Sequence, residues 1–597
     1  MELLDPSRTL LQNLIDERTN FITAKTNFTQ QFRELSQYFF QVRLEESQYN
    51  DHLLQGQALN DGSINDNIGA RAAKGMASAV LGATWKNESG TFRIVPSKRI
   101  KITPAVKEYF GRLNSDLTHF MERKKGRLEE SLMTAVLELI IFGTTGVVTQ
   151  QGDYNTPLRY HQKSVLNFCL GYDGNGDVNT IFIDYSFSAQ ELYSLYGARA
   201  GSSVMQAYNS KDMMKRFTVT EAIKPRRSAK ALIGKLAMPF ATYAFMPYEN
   251  IFLEEGGYES LPMAIAFCTK LEWEAYGRSF GMDALPTVRQ SNQAAEILAV
   301  GGEATALPPL GMYDNGSLAG KAVDLTAAAL NVFNVAGTVP SDKPIFPLYN
   351  VGDLRVMFEW WKVLHENVAS YFSLDRLFGL DNTQRKTLGE ANLWDSIRKD
   401  SLSGIFTIVM RFYEQIIERS VLILEKMGLA GVVDPENLEA PEVIELLKNG
   451  YSPYRIPEEV LAVKEAKGEW YDIQFISPAA TSMKSDELRA TMLFSQVMTQ
   501  MGSISPEFMF ILDPIGTADK LKDLLSADII TMRTPDQIQS MVENYQKQQA
   551  QAAQMELKAT NAKAEQSLGQ AQASKAGAMR TMIGTAQGNT GGADNGY

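Results

Sequence analysis

Residues Tyr276–Gln293, YGRSFGMDALPTVRQSNQ, place a turn with two glycines directly before a helix whose apolar face is thin. Gly277 and Gly281 supply the joint. Asp283 is the expected N-cap of a helix over about 284–300, with Pro286 inside the tolerated first turn. Leu285, Val288, Asn292, Ala295 and Ala299 fall on one face of it. At ~1.5 Å per residue this helix would be roughly 25 Å long. A face so narrow cannot bury itself and needs neighbours. A second helix, expected over about 352–372, carries a strong stripe of Leu354, Met357, Phe358, Trp361, Leu364, Val368, Tyr371 and Phe372. Residues 301–350 between them are rich in Gly, Pro and Ala, with short strand-like pieces such as LNVFNV. Whatever the chain folds into must accommodate two helices bracketing a loop-rich insert.

A chain of 597 residues should fold as several units, roughly four at ~150 residues per domain. Hydrophobic content of 44% allows large cores to form. Cys169 and Cys268 are far apart in sequence, so no disulfide framework is expected, and a reducing compartment suits them. The segment after Met1 lacks a basic start, an apolar stretch and a small-residue cleavage site. The best apolar run, Leu132–Phe142, falls short of the ~20 residues of a membrane span and contains Glu138. The expectation is a soluble, non-secreted protein without a membrane partner. The formal net charge of −11 argues against tight, sequence-specific DNA binding, which depends on neutralising phosphates. It is compatible with a surface past which DNA slides.

The expected fold class is α+β, predominantly helical. Helical patterns begin at Leu10, Leu14 and Ile15 and continue through Phe28, Phe32, Leu35, Phe39 and Phe40. An Ala-rich helix is expected over 68–81. Thr103-Pro104 starts a helical region running to Phe142, with a break near Asn114, and Gly143 stops it. Strands follow in TTGVVTQ, SVLNFCLGYD and DVNTIFIDYSF, the last two joined by a hairpin turn at Asp173–Asp177. Ser188-x-x-Glu191 is a capping box, and further strands fit 217–223, 240–243, 263–271 and 470–475. Thr387-Leu-Gly-Glu390 is another capping box and opens the longest helix, to about Met427, ended by Gly428. Residues 373–386 before it, SLDRLFGLDNTQRK, lack a period and form a loop. Helices are expected again at 484–500, 506–512 and 518–528. Another begins at Thr534-Pro535, becomes Gln/Ala-rich and fades into a Gly/Asn/Thr tail.

Chemistry is thinly represented. The nearest approach to a phosphate loop, Gly316–Ala322, has a spacer one residue short and Ala322 where Ser or Thr must hold Mg²⁺. Gly277-Arg-Ser279-Phe-Gly281 matches a nucleophile elbow, but the expected cap at Asp283 puts the helix four residues late, and His365 is the only downstream histidine. Asp173, Asn175, Asp177 and Asp184 sit at EF-hand positions 1, 3, 5 and 12, yet Val178 replaces the required Gly and strands flank the loop. His52, His119, His161 and His365 are scattered at no zinc spacing. The clusters Lys98-Arg99-x-Lys101, Arg123-Lys124-Lys125-Gly-Arg127 and Lys224-Pro-Arg226-Arg227 suit a solvated face or an inter-subunit ion pair better than phosphate. No catalytic residue, cofactor or metal is expected.

The segment 276–293 resembles the signature of the head-to-tail connector, or portal, proteins of short-tailed bacteriophages. Ala72-Ala73-Lys-Gly-Met76-Ala77-Ser78, Trp85 and Phe92-Arg93-Ile94 are similar to that family's early helix and strand. The chain departs at ATWKNESG, where the family often has a Pro-rich turn and an aromatic pair. Pro308-Pro309-Leu310, the GK-x-VDL segment and LNVFNV are similar to its clip, and Thr387–Glu390 to its TATE-like helix start. The pieces agree in order from about 68 to 430.

This resemblance implies a portal fold of wing, stem, clip, crown and C-terminal barrel, assembled as a ring expected to be dodecameric at one capsid vertex. Residues 1–280 and 373–480 would form the wing. The two stem helices would be 281–300 and 351–372, with Asp283, Leu285, Val288, Trp361 and Leu364 among their residues. The clip, 301–350, would include Pro308, Pro309 and Leu310. The tunnel loop, 373–386, would offer Arg376, Asn382, Gln384, Arg385 and Lys386 to DNA. The crown would span 481–545, and a barrel helix with a flexible tail 546–597. Implied partners are further copies of the chain, double-stranded DNA passing without sequence preference, the terminase large subunit, a tail adaptor, and capsid or scaffolding proteins. The implied location is the virion, after assembly in the host cytoplasm. The alternative is another virion structural protein, such as an internal core or tail component.

Overall fold

Thr9 opens the first helix with a complete capping box: its hydroxyl accepts from the Gln12 N–H, and the Gln12 side chain accepts from the Thr9 N–H. Helix α1 (Leu10–Phe39) is followed by α2 (Ile68–Thr84), β1 (Phe92–Pro96), α3 (Pro104–Met121) and α4 (Leu128–Phe142). The computed structural model describes residues 9–42, 64–85, 91–226, 234–314, 352–373, 388–437, 440–466 and 468–476, with shorter pieces between 324 and 348 and between 493 and 577. The chain divides into two units, Met1–Ala490 and Thr491–Tyr597. In the second, residues 558–577 are helical and exposed; the helices expected at 484–500, 506–512, 518–528 and from 534 lie largely outside the described residues.

Thr103 caps α3 through the Val106 N–H, with Pro104 in the first turn. The break expected near Asn114 falls instead between Glu122 and Arg127, where Arg127 takes a left-handed φ of 58°. Asn114 stays helical because its side chain pairs with another element. It accepts from the Ile94 N–H at 2.7 Å and donates to the Ile94 carbonyl at 2.8 Å, completing the edge of β1. Helix α4 is apolar nearly all round and buries residues from Leu128 to Phe142, so it is the centre of the main core. Gly143 ends it at φ 78°, a conformation that favours Gly.

Beyond Gly143 the chain forms β2 (Thr144–Asp153), β3 (Thr156–Lys163), β4 (Phe168–Tyr172) and β5 (Val178–Ser188). Next come α5 (Ala189–Tyr196), α6 (Ser202–Asn209), β6 (Arg216–Pro225), β7 (Phe240–Met246), β8 (Ile251–Tyr258) and β9 (Met263–Phe267). Strands β3-β2-β9 form one antiparallel sheet, and β4-β5-β6-β7-β8 form an antiparallel meander. The alternation predicts β2, β4, β5, β6, β7 and β9, and the box at Ser188 caps α5. It misses β3, whose Pro157, Arg159 and Lys163 interrupt the pattern, and β8, which contains Glu254, Glu255, Gly256 and Gly257.

After α7 (Phe280–Ala306) come β10 (Leu310–Asp314), β11 (Leu330–Asn334) and β12 (Ile345–Pro347). The chain returns through α8 (Leu354–Tyr371), α9 (Leu388–Lys426), α10 (Pro441–Lys448), α11 (Glu458–Glu465) and β13 (Tyr471–Phe475). Strand β13 pairs antiparallel with β1, Phe92 opposite Phe475, so chain from both sides of the insert closes one body. Two buried hydroxyl pairs tie α9 to that body: Tyr413 with Thr84 at 3.2 Å and Tyr160 with Ser420 at 2.9 Å. Fold class is thus mixed helix and sheet, with helix in the majority.

Candidate functional site

The candidate site is the helix pair and the insert it carries. Helix α7 begins where the end of α4 leaves almost no room. A Cβ on Gly281 would stand 2.6 Å from the Ile141 carbonyl oxygen, and one on Gly277 would stand 2.4 Å from that of Gly143. Only glycine permits this approach. The Gly277 N–H donates to the Thr144 hydroxyl at 2.8 Å, and the Cys268 N–H to the Gly143 carbonyl at 2.8 Å.

The N-cap of α7 is Ser279, not Asp283. The Ser279 hydroxyl accepts from the Met282 N–H at 3.0 Å and donates to the Ile141 carbonyl at 2.7 Å. Helix α7 therefore starts four residues earlier than the sequence predicts and runs to Ala306, its 27 residues giving about 40 Å. Two expectations change with it. Pro286 lies inside the helix, so the Met282 carbonyl loses its helical donor. The objection to Ser279 from helix placement also falls, but a stronger one replaces it. Ser279 is 3% exposed with its hydroxyl committed on both sides. His365, the sole downstream histidine, contacts Asp66 beside Ser291, about 18 Å along α7 from Ser279. Asp283 is exposed in the first turn, where a carboxylate favours the helix dipole.

Leu285, Val288 and Asn292 are buried, whereas Ala299 is exposed. On α8, Asp353 is the N-cap, and within the helix Leu364 and Val368 are buried, with Phe372 buried just past its end. Trp361 is half-buried. Outside this line Val356, Phe358, Trp360 and Val363 lie exposed.

Asp66 joins the two helices to the body, and no local sequence signal marks it. Its Oδ2 accepts from the Ser291 hydroxyl on α7, from Trp361 Nε1 at 3.1 Å on α8, and lies 2.7 Å from His365 Nε2. Its Oδ1 accepts from the Ile68 N–H at 3.0 Å, starting α2. Its own N–H, like that of Asn65, donates to Asn292 Oδ1. Burial alone would raise the Asp66 pKa, but the bonds from Ser291 and His365 win and hold it below the ordinary carboxylate value.

The insert forms a small sheet in the order β11-β10-β12, with β10 parallel to β11 and antiparallel to β12. LNVFNV supplies β11 as expected. Pro309 is buried, Pro308 and Leu310 half-buried, and the Leu348 N–H closes on the Pro309 carbonyl at 2.9 Å. Asn331 holds the Asp324 N–H and carbonyl at 2.6 Å each. The phosphate-loop-like Gly316–Ala322 lies outside the described residues, as do Arg376, Asn382, Gln384, Arg385, Lys386 and the cap Thr387.

The other sequence candidates disperse. Asp173 Oδ1 accepts from the Asn175 and Asp177 N–H groups within its turn, whereas Asp184 forms a bidentate pair with Arg18 at 3.0 and 2.8 Å. Lys224 pairs with Glu17 and Arg226 with Glu255 inside the chain, and Arg123 reaches the Asn155 carbonyl. Among the described residues no helix is long and apolar enough to cross a membrane.

The arrangement is a closely packed joint with an appendage: two glycines against the end of α4, two helices bonded to one carboxylate, and a small sheet in the insert between them. The family model described as "Bacteriophage head to tail connecting protein" matches residues 12–530, and the chain belongs to that family. It is 20% identical over 499 residues, 82% of this chain and 83% of the other, to a probable portal protein of Bordetella phage BPP-1.

Proposed function

We propose that this head-to-tail connecting protein is the subunit of a portal, a ring at one capsid vertex through which double-stranded DNA is packaged, retained and ejected. The observation that carries the reading is the family match across residues 12–530, which spans the joint, both helices and the insert. The similarity to a probable portal protein along most of both chains supports it. In this reading residues 1–280 and 373–480 are the wing, 281–300 on α7 and 351–372 around α8 the stem, 301–350 the clip, 481–545 the crown and 546–597 the barrel and tail.

Helix α8 favours a ring physically. Val356, Phe358, Trp360 and Val363 expose apolar surface that a neighbouring copy would cover, and heterologous contacts that close on themselves leave none unsatisfied. Twelve copies are expected. The clip would meet the terminase large subunit and later the tail adaptor, while the outer surface would contact capsid or scaffolding proteins. Arg376, Arg385 and Lys386, helped by Asn382 and Gln384, would make transient phosphate contacts; a net charge of −11 keeps DNA from being trapped. The family is a structural one, and the reading gives the chain no catalytic step.

Electron microscopy of purified protein tests this reading. Twelve- or thirteen-fold rings with a central hole are expected. Monomers or open filaments would contradict it and favour an internal core or tail component.

A further inference from the structure

The five-stranded meander uses its two faces differently. One is closed by α1 through Leu14, Phe182, Ala222 and Phe245, with the Arg18–Asp184 pair at its edge. The other, beside α5, contains a cavity of about 290 Å³. Small residues, Ala244 and Gly256, keep its floor low. Its walls are aromatic, from Tyr185 and Phe187 on β5, Tyr196 at the end of α5, and Tyr258 on β8. Tyr185 and Phe187 stack at 5.8 Å with an interplanar angle of 18°.

Two carboxylates complete it. Glu221 and Glu254 both lie opposite Ala244 in register, one strand to either side, so about 10 Å separates their backbones. Glu221 accepts three hydrogen bonds, from Tyr185 (2.9 Å), Thr242 (3.0 Å) and Tyr258 (3.2 Å). All three donors are neutral hydroxyls. Burial first, then Glu221, pushes the Tyr185 hydroxyl well above its ordinary pKa, so it remains a donor. Among the described residues neither Glu221 nor Glu254 has a Lys, Arg or His partner within 4.0 Å. Lys163 and Arg419 stand over the Tyr185 and Tyr258 rings at 4.1 and 5.5 Å without reaching either carboxylate at ion-pair distance.

We propose that this cavity is a binding site for an organic cation, an alkylammonium or guanidinium head on a slender apolar stem. Aromatic faces attract a cation through their quadrupoles, and a half-buried carboxylate such as Glu221 rewards a charged donor more than a neutral one. A neutral apolar occupant would cover Glu221 while adding no counter-charge to its three neutral donors, and an anion would be repelled. The cavity has room for one extended basic side chain. The head can be carried by a free amine or by a Lys or Arg of another copy of the chain, and the chemistry is the same. This inference does not rest on the portal reading.

The test is a calorimetric titration with Nα-acetyl-arginine amide against its neutral isostere Nα-acetyl-citrulline amide, on assembled and on dissociated protein. Saturable uptake of the arginine probe alone is expected, weakened at least tenfold by Glu221→Gln. Glu254→Gln, at an exposed position that leaves the fold alone, should weaken it about threefold. Uptake by both forms assigns the site to a free cation. Uptake by the dissociated form alone assigns it to a side chain of another copy. No saturable uptake by either form, or equal uptake of the citrulline probe, overturns the proposal.

Discussion

Helices α4 and α8 are similar in length and both rich in apolar residues, yet they are used in opposite ways. Of the fifteen residues of α4, eleven are buried, including Leu132, Ile140 and Phe142, so that helix is finished within one chain. Of the eighteen in α8, Leu364 and Val368 are buried while Phe358, Trp360 and Val363 face solvent. The first region is a core; the second is an exposed apolar surface, which in the proposed ring a neighbouring copy would cover. Apolar content alone therefore does not say where a helix ends up. The distribution of that content around the axis does: all round on α4, spread over more than one face on α8.

The largest effect is expected at α4. Leu132→Ala should cost about 2–5 kcal/mol in chemical denaturation, because it opens a cavity that the surrounding core cannot refill. A loss below ~1 kcal/mol would mean that α4 is not the centre of the fold. At the joint, Gly281→Ala should cost about 1–3 kcal/mol, since the new Cβ meets the Ile141 backbone rather than a side chain that can move.

Asp66→Ala should cost a similar amount, about 1–3 kcal/mol, by leaving Ser291, Trp361 and His365 without their acceptor. Its folded pKa is depressed, so its contribution is full above the ordinary carboxylate value and is lost as pH falls through the lower folded value. Thermal melts should show Asp66→Asn losing less stability than the native protein over that acid range. Identical acid slopes would refute the bracket. On α8 the prediction reverses: Phe358→Ser with Trp360→Ser should change subunit stability by only about 0.5 kcal/mol yet weaken assembly more than tenfold in sedimentation. The smallest effect on protein itself is expected from Arg376, Arg385 and Lys386 replaced together by Ala. Rings should stay intact while packaging or DNA retention changes; unchanged packaging would remove those residues from the channel.

Local chemistry was legible wherever it was self-contained. Thr103-Pro104, Ser188 with Glu191, the Asp173 turn and Gly143 act as their spacing predicts. Ser279 and Asp283 are both residues that cap helices, and nothing within the segment chooses between them. The choice is made by the Ile141 carbonyl, 138 residues earlier in the chain. Asn114 looked like a break for the same reason, its partner Ile94 lying on a separate strand. Asp66 was invisible because its partners Ser291, Trp361 and His365 lie 225–299 residues away. The helix pair was legible as periodicity, and its fastening was not.

Native mass spectrometry of the full-length protein counts the copies in the assembly. One closed stoichiometry, near twelve copies, is expected, and the Phe358→Ser, Trp360→Ser variant should lose it while remaining folded. A stable monomer at micromolar concentration, or a continuous ladder of open oligomers, would contradict it.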